Sequence, residues 1–160
     1  MAVQLVRIDD RLIHGQVVIG WANYLNTREI VLCDDSVSEN DWEKELYLSC
    51  VPESIKTHIM NVAETTAYIN NRESDHSSAI ILINSPAVLE ELLKSGAQIE
   101  RVNIGGIHFQ DARKKYLPYL YINNEEMDTF RRCMERGVQF ECLDVPTGKK
   151  IAFENLIGNS

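Results

Sequence analysis

The 160-residue sequence lacks any long hydrophobic run. Its most uniformly apolar stretch, Ala79-Ile80-Ile81-Leu82-Ile83, falls far short of the roughly 20 residues that a transmembrane helix needs. The N-terminus also lacks the charged-then-apolar layout of a signal peptide. We therefore expect a cytoplasmic protein, whose association with a membrane would come through a partner.

Basic charge is also scarce, with 16 Lys and Arg against 24 Asp and Glu and a net charge of −8. A nucleic-acid-binding face would need a basic surface, so we expect no nucleic-acid partner. The 4 cysteines have no C-x-x-C spacing, which favours reduced structural thiols in a cytosolic chain. The 4 histidines, at 14, 58, 76 and 108, are too scattered to indicate a metal site.

Repeats, linkers and low-complexity segments are missing as well, so the sequence predicts one domain over residues 1–160. Apolar runs alternate with segments of helical periodicity. The alternation predicts an α/β fold: a single-domain open, mostly parallel sheet of about seven strands with helices on both faces. The strands are expected near residues 3–8, 29–33, 57–61, 79–83, 99–104, 116–122 and 138–143. The unbroken apolar run at 79–83 is typical of a central strand covered on both faces.

The most distinctive stretch is Arg7-Ile8-Asp9-Asp10-Arg11-Leu12-Ile13-His14-Gly15-Gln16, which joins the first predicted strand to the first predicted helix. In open α/β sheets, ligands bind at the carboxyl ends of strands. The free N–H groups at a helix start suit a phosphate or carboxylate, and arginines can add charge-assisted hydrogen bonds. The stretch therefore predicts an anion site with a reactive histidine. The other interpretation is a helix-start histidine beside a surface cluster of ion pairs, and the chemistry alone leaves both open.

The same stretch resembles the active-site signature of the mannose/fructose/sorbose-family IIB component of the bacterial phosphoenolpyruvate-dependent sugar phosphotransferase system. Further segments follow in the order typical of that family: residues 30–35, 56–67, the Pro86 region, 103–106, 135–138 and 146–157. The resemblance covers essentially the whole chain and implies the sorbose-type IIB fold. Two positions depart from the common pattern: Asn84-Ser85-Pro86 replaces an Asn-Pro pair, and Ile107 takes a place that often holds methionine.

The resemblance implies a protein-phosphohistidine–sugar phosphotransferase. His14 would accept a phosphoryl group from a phosphorylated IIA protein or domain and donate it to a sugar bound by the membrane components IIC and IID. Neutral imidazole is a good nucleophile near neutral pH, and its phosphoramidate can pass the group onward. No metal or organic cofactor is needed, because the phosphate arrives on protein. The family also leaves room for a homodimer.

The neighbouring residues receive supporting roles. Arg11, Arg7 and the helix-start amide of Gly15 would stabilise the phosphate, since phosphoryl transfer depends on alignment and charge stabilisation. A carboxylate aimed at phosphate would repel it, so Asp9 and Asp10 are expected to orient the arginines or the imidazole. Gln16 would bond locally.

The adjacent glycines Gly105 and Gly106 fit an ordinary loop equally well on their own, but the resemblance implies that their loop borders the site. His108, which follows them, is interpreted as a bystander unless it lies beside His14.

Two further classes compete with the transferase. One is a regulatory or anion-binding module on the same fold, which would hold an anion without turnover. The other is an unrelated nucleotide-binding protein, which is disfavoured because no G-x-G-x-x-G or Walker-type loop follows the first strand.

Overall fold

The computed structural model describes residues 3–12, 15–71 and 79–157. The strands of this part of the chain are β1 (Val3–Asp9), β2 (Glu29–Cys33), β3 (Lys56–Met60), β4 (Ala79–Ile83), β5 (Arg101–Gly106), β6 (Lys114–Leu117), β7 (Leu120–Ile122), β8 (Gln139–Cys142) and β9 (Ile151–Ala152). The helices are α1 (Gly15–Leu25), α2 (Asp35–Ser38), α3 (Asp41–Leu48), α4 (Val62–Asn70), α5 (Pro86–Lys94), α6 (Asn124–Glu135) and α7 (Phe153–Ile157).

A 7-stranded sheet in the order β3-β2-β4-β1-β5-β8-β9 forms the centre of the molecule. Its strands pair in parallel except β9, which runs antiparallel to β8 at one edge. The carboxyl ends of β1 and β5 therefore lie side by side, with Asp9 opposite Gly106. The predicted mostly parallel α/β sheet is confirmed.

Two hydrophobic clusters cover the two faces of the sheet. Alternate residues of β4 divide between them, with Ile81 and Ile83 in one cluster and Ile80 and Leu82 in the other. All 5 residues of this strand are buried, which confirms the prediction of a central strand covered on both faces. The first cluster also contains the aromatic group Phe130, Phe140 and Phe153, contributed by α6, β8 and α7.

The helix ends follow local sequence signals. Asn61 and Asn123 each form a capping box with the glutamate three residues on, and Pro86 occupies the first turn of α5. Gly96 and Gly137 follow α5 and α6 with φ of +97°, a conformation that favours glycine. None of the described helices has both the length and the apolar character needed to cross a membrane.

Two local predictions were wrong, and one short strand was missed. The single strand expected over 116–122 is a hairpin of β6 and β7, in which Leu117 pairs with Leu120. Pro118 lies in the turn between them, since proline cannot donate to a strand ladder. The short edge strand β9 was not predicted, and Gly105 and Gly106 are the last residues of β5 rather than a loop beyond it.

Candidate functional site

The distinctive turn leaves the sheet at the carboxyl end of β1. The Leu12 N–H donates to the Asp9 carbonyl at 2.9 Å and closes the turn. Leu12 has a φ of 55°, and its side chain is buried in the cluster that contains Trp21. Gly15 begins α1, as predicted from the sequence. His14, the predicted phosphohistidine, lies outside the described residues, and so does the side chain of Gln16.

Asp9 holds Arg11 in a fixed orientation. Its Oδ1 accepts hydrogen bonds from the Arg11 backbone N–H at 3.0 Å and from Nε at 3.2 Å. Its Oδ2 accepts from Nη2 at 3.3 Å. The Asp9 side chain is 1% exposed and that of Arg11 is 42% exposed. A buried carboxylate thus anchors a guanidinium that reaches the surface three residues before His14 in the chain.

Arg7 is buried behind this pair, 1% exposed. Its Nη1 donates to Asn103 Oδ1 and, at 2.7 Å, to the Leu143 carbonyl. Its Nη2 donates to the Asp144 carbonyl at 2.7 Å and to Asp9 Oδ2 at 3.5 Å. Burial lowers the pKa of Arg7 to about 10, so the group keeps its charge at neutral pH. These contacts make Arg7 a residue that positions Asp9 and the end of β8, while its role in stabilising the phosphate stays a prediction.

Side chains of the site pack directly against Gly105 and Gly106, so neither position has room for a side chain of its own. A methyl group on Gly105 would overlap Cζ and Nη2 of Arg7 and lie 2.7 Å from its Nε. On Gly106 it would lie 2.8 Å from Cε1 of His108 and 3.2 Å from Nη2 of Arg11. The Gly106 carbonyl also accepts a hydrogen bond from the Asp10 N–H at 2.8 Å. The two glycines therefore form the floor beneath both arginines.

Asp10 contacts His108. Its Oδ1 lies 2.6 Å from Nδ1 of the His108 ring, and its Oδ2 accepts the His108 backbone N–H at 2.8 Å. Arg113 Nη1 is 3.8 Å from the same Oδ2. Asp10 therefore contacts His108, which was interpreted as a bystander, while its expected role in orienting the arginines or the His14 imidazole stays a prediction. The sequence gives little indication of this pair, because the two residues meet only if β1 and β5 are neighbouring strands.

The turn, the glycine floor and the Asp10–His108 pair share one edge of the sheet. They place an oriented arginine and an imidazole side by side at the carboxyl end of β1, and α1 begins four residues after Arg11 in the sequence. Arginine and helix-start N–H groups together suit a phosphoryl group or another small anion. Within residues 3–12, 15–71 and 79–157, no three His, Cys, Asp or Glu side chains come together in a way that could hold a metal ion.

Comparison with known proteins identifies the class. Residues 3–160 match the family model described as the PTS system sorbose subfamily IIB component. The chain therefore belongs to the sorbose-type IIB family of the sugar phosphotransferase system.

Individual relatives agree with this assignment. The Bacillus subtilis fructose-specific EIIB component is 25% identical over 159 residues, covering 99% of this chain and 98% of that protein. The Escherichia coli mannose-specific EIIAB component is 29% identical over 157 residues, covering 98% of this chain and 49% of that protein. The chain thus spans about half the length of the mannose-specific relatives that it matches. The IIBSor domain of the sorbose permease from Klebsiella pneumoniae superposes with a TM-score of 0.89 at 25% identity, covering 100% of this chain and 98% of that one.

Proposed function

We propose that this chain is a phosphocarrier in which His14 receives a phosphoryl group from a phosphorylated IIA partner and passes it to a sugar bound by IIC and IID. In the first step, the P–N bond of the donor phosphohistidine breaks as a P–N bond to His14 forms. In the second, that bond breaks as a P–O bond to a sugar hydroxyl forms and the hydroxyl proton is released. We expect the chain to work in the cytoplasm and to meet the membrane through IIC and IID.

The observation that carries this proposal is the Asp9–Arg11 pair. Two hydrogen bonds from the Arg11 guanidinium and one from its backbone N–H go to a buried carboxylate, which holds this half-exposed guanidinium close in sequence to His14. Such a donor stabilises charge on the transferring phosphoryl oxygens without having to reorganise. The Gly15 amide at the start of α1 would add a backbone donor, and Arg7 would act indirectly by holding Asp9 in place. Membership in the IIB family supports the same chemistry.

The test is phosphorylation by a complete relay. The purified chain is incubated with phosphoenolpyruvate, the two general phosphotransferase proteins and a mannose-type IIA, and acid-labile phosphate is measured on the protein. We expect label on the wild type and none on His14→Ala, with both giving the same circular dichroism. Arg11→Ala should slow labelling about 100-fold, as loss of one preorganised donor does. Arg132→Ala, which removes an exposed arginine paired with Glu90, is the matched control and should label at the wild-type rate.

An unlabelled wild type would contradict the proposal, provided that the same phosphorylated IIA is competent on another IIB protein. The function would then be that of the regulatory or anion-binding module. Loss of the folded state in His14→Ala would instead assign His14 to the core.

A further inference from the structure

His108 is held in place through its backbone as well as its ring. Its N–H donates to Asp10 Oδ2 at 2.8 Å, and its carbonyl accepts from Arg113 Nη1 at 2.7 Å. Arg113 is fixed in turn by Glu126, whose two carboxylate oxygens accept from Nε at 3.0 Å and Nη2 at 2.7 Å. Glu126 belongs to the capping box at the start of α6. A loop residue held this firmly presents its ring in one orientation.

The contact with Asp10 determines where the ring can carry its proton. An ionised aspartate only accepts hydrogen bonds, so the 2.6 Å contact between Asp10 Oδ1 and His108 Nδ1 requires the proton on Nδ1. In the neutral ring, Nε2 then offers a lone pair and would repel a phosphate oxygen. In the imidazolium, Nε2 carries a proton and becomes a charged donor. The ring is 42% exposed and therefore open to a ligand.

The side chains of His108 and Arg11 both lie against Gly106. Both would contact a methyl group placed on Gly106, Arg11 through Nη2 and His108 through Cε1. The charged groups around the His108 ring are Asp10, Asp9, Arg11 and Arg113, the last of which is paired with Glu126. Two adjacent cations repel each other, and an anion bound between them removes that repulsion.

We propose that His108, as an imidazolium, donates a hydrogen bond from Nε2 to the transferring phosphoryl group that Arg11 also contacts, with Asp10 as its positioning residue. The inference rests on the proposed phosphocarrier function. It makes His108 a phosphoryl-binding residue that donates to the phosphoryl group only when both ring nitrogens carry a proton. The wild-type protein therefore holds its phosphoryl group more tightly at low pH.

The test compares wild type with His108→Gln in the equilibrium between phosphorylated IIA and this chain. The equilibrium constant is measured from the distribution of radioactive phosphate at pH values from 6 to 8.5. Titration of IIA and of the phosphoryl group itself affects both proteins, so the ratio of the two constants isolates His108. We expect wild type to exceed His108→Gln about tenfold at pH 6, as a hydrogen bond between charged groups would provide. The ratio of the two constants should fall as pH rises, because only the imidazolium donates from Nε2.

His58→Gln is the matched control. His58 is also a partly exposed histidine bonded to a carboxylate, with Nε2 at 2.9 Å from Glu29 Oε1, and it lies on the edge strand β3. Its equilibrium constant should equal that of wild type at every pH.

A His108→Gln constant equal to wild type at all pH values would overturn the inference, and so would a ratio independent of pH, which indicates a purely structural role. In both cases the labelled wild type would leave the phosphocarrier function intact. A wild type that takes up no phosphate would overturn both.

Discussion

Gly105→Ala tests whether the buried Arg7 is as tightly held as its contacts indicate. The added methyl group would occupy the space of the guanidinium, overlapping Cζ and Nη2. Arg7 has little freedom to yield, because Nη1 and Nη2 donate to the carbonyls of Leu143 and Asp144 at 2.7 Å each. The substitution must therefore displace either the guanidinium or strand β5.

The expected loss follows from the bonds that displacement would break. Leaving a buried hydrogen-bonding group unpaired costs about 1–3 kcal/mol. Two such carbonyls give roughly 2–6 kcal/mol, a large part of the 5–15 kcal/mol that stabilises a typical domain. For a chain of this size, a loss near the middle of that range lowers Tm by roughly 10 °C.

The assay is urea unfolding followed by circular dichroism, with Gly20→Ala as the control. Gly20 lies within α1, and a methyl group there meets nothing within 4 Å. Replacing a helical glycine by alanine should stabilise the protein by about 0.5–1 kcal/mol. In an Arg7→Ala background none of the clashing atoms remains, and Gly105→Ala should then cost less than about 1 kcal/mol. A single Gly105→Ala variant within about 1 kcal/mol of wild type would refute the role given to Arg7.

Two other predictions concern the thiols and a helix cap. Burial raises the pKa of Cys142 to about 12 and that of Cys33 and Cys133 to about 11, whereas Cys50 is exposed. One thiol should therefore react rapidly with Ellman's reagent at pH 8 in the folded protein and four in denaturant. Fast reaction of several thiols in the folded protein would contradict that expectation. Because the buried thiols ionise more easily once unfolded, the free energy of unfolding should also fall as pH rises from about 9 toward 11. Asn123→Ala should lower the unfolding free energy by about 1 kcal/mol in urea titration, since it removes a cap, and an unchanged midpoint would show that the cap contributes nothing.

The elements that local sequence determines were predicted well. The apolar run of β4 and the cap residues at Asn123, Gly96 and Gly137 each carry a local signal that the structure follows. The order of strands carries no such signal, because it depends on which buried faces pack together. The β6–β7 hairpin was missed because apolar character continued through Pro118, and the proline alone indicated the break.

The candidate site likewise has some contacts that local sequence predicts and others that depend on the order of the strands. Asp9 and Arg11 are two residues apart, and their pairing is within reach of local inference. Arg7 is fixed by carbonyls 136 and 137 residues away in the chain, and His108 lies 98 residues from Asp10. Without the knowledge that β1, β5 and β8 are neighbours, neither the burial of Arg7 nor the Asp10–His108 contact could be inferred.

The left-handed backbone of Leu12 affects the stability of the turn that carries Arg11. An L-residue in that conformation costs about 1–2 kcal/mol, whereas burying a leucine side chain returns about 1.5–3 kcal/mol. Leu12 is 5% exposed in the cluster that includes Trp21 and Ile30. The turn from Asp9 to Leu12 is therefore stabilised by the hydrophobic core and has little stability of its own. We therefore expect the turn to unfold together with the sheet, so that Arg11 keeps its orientation while that face of the core stays packed.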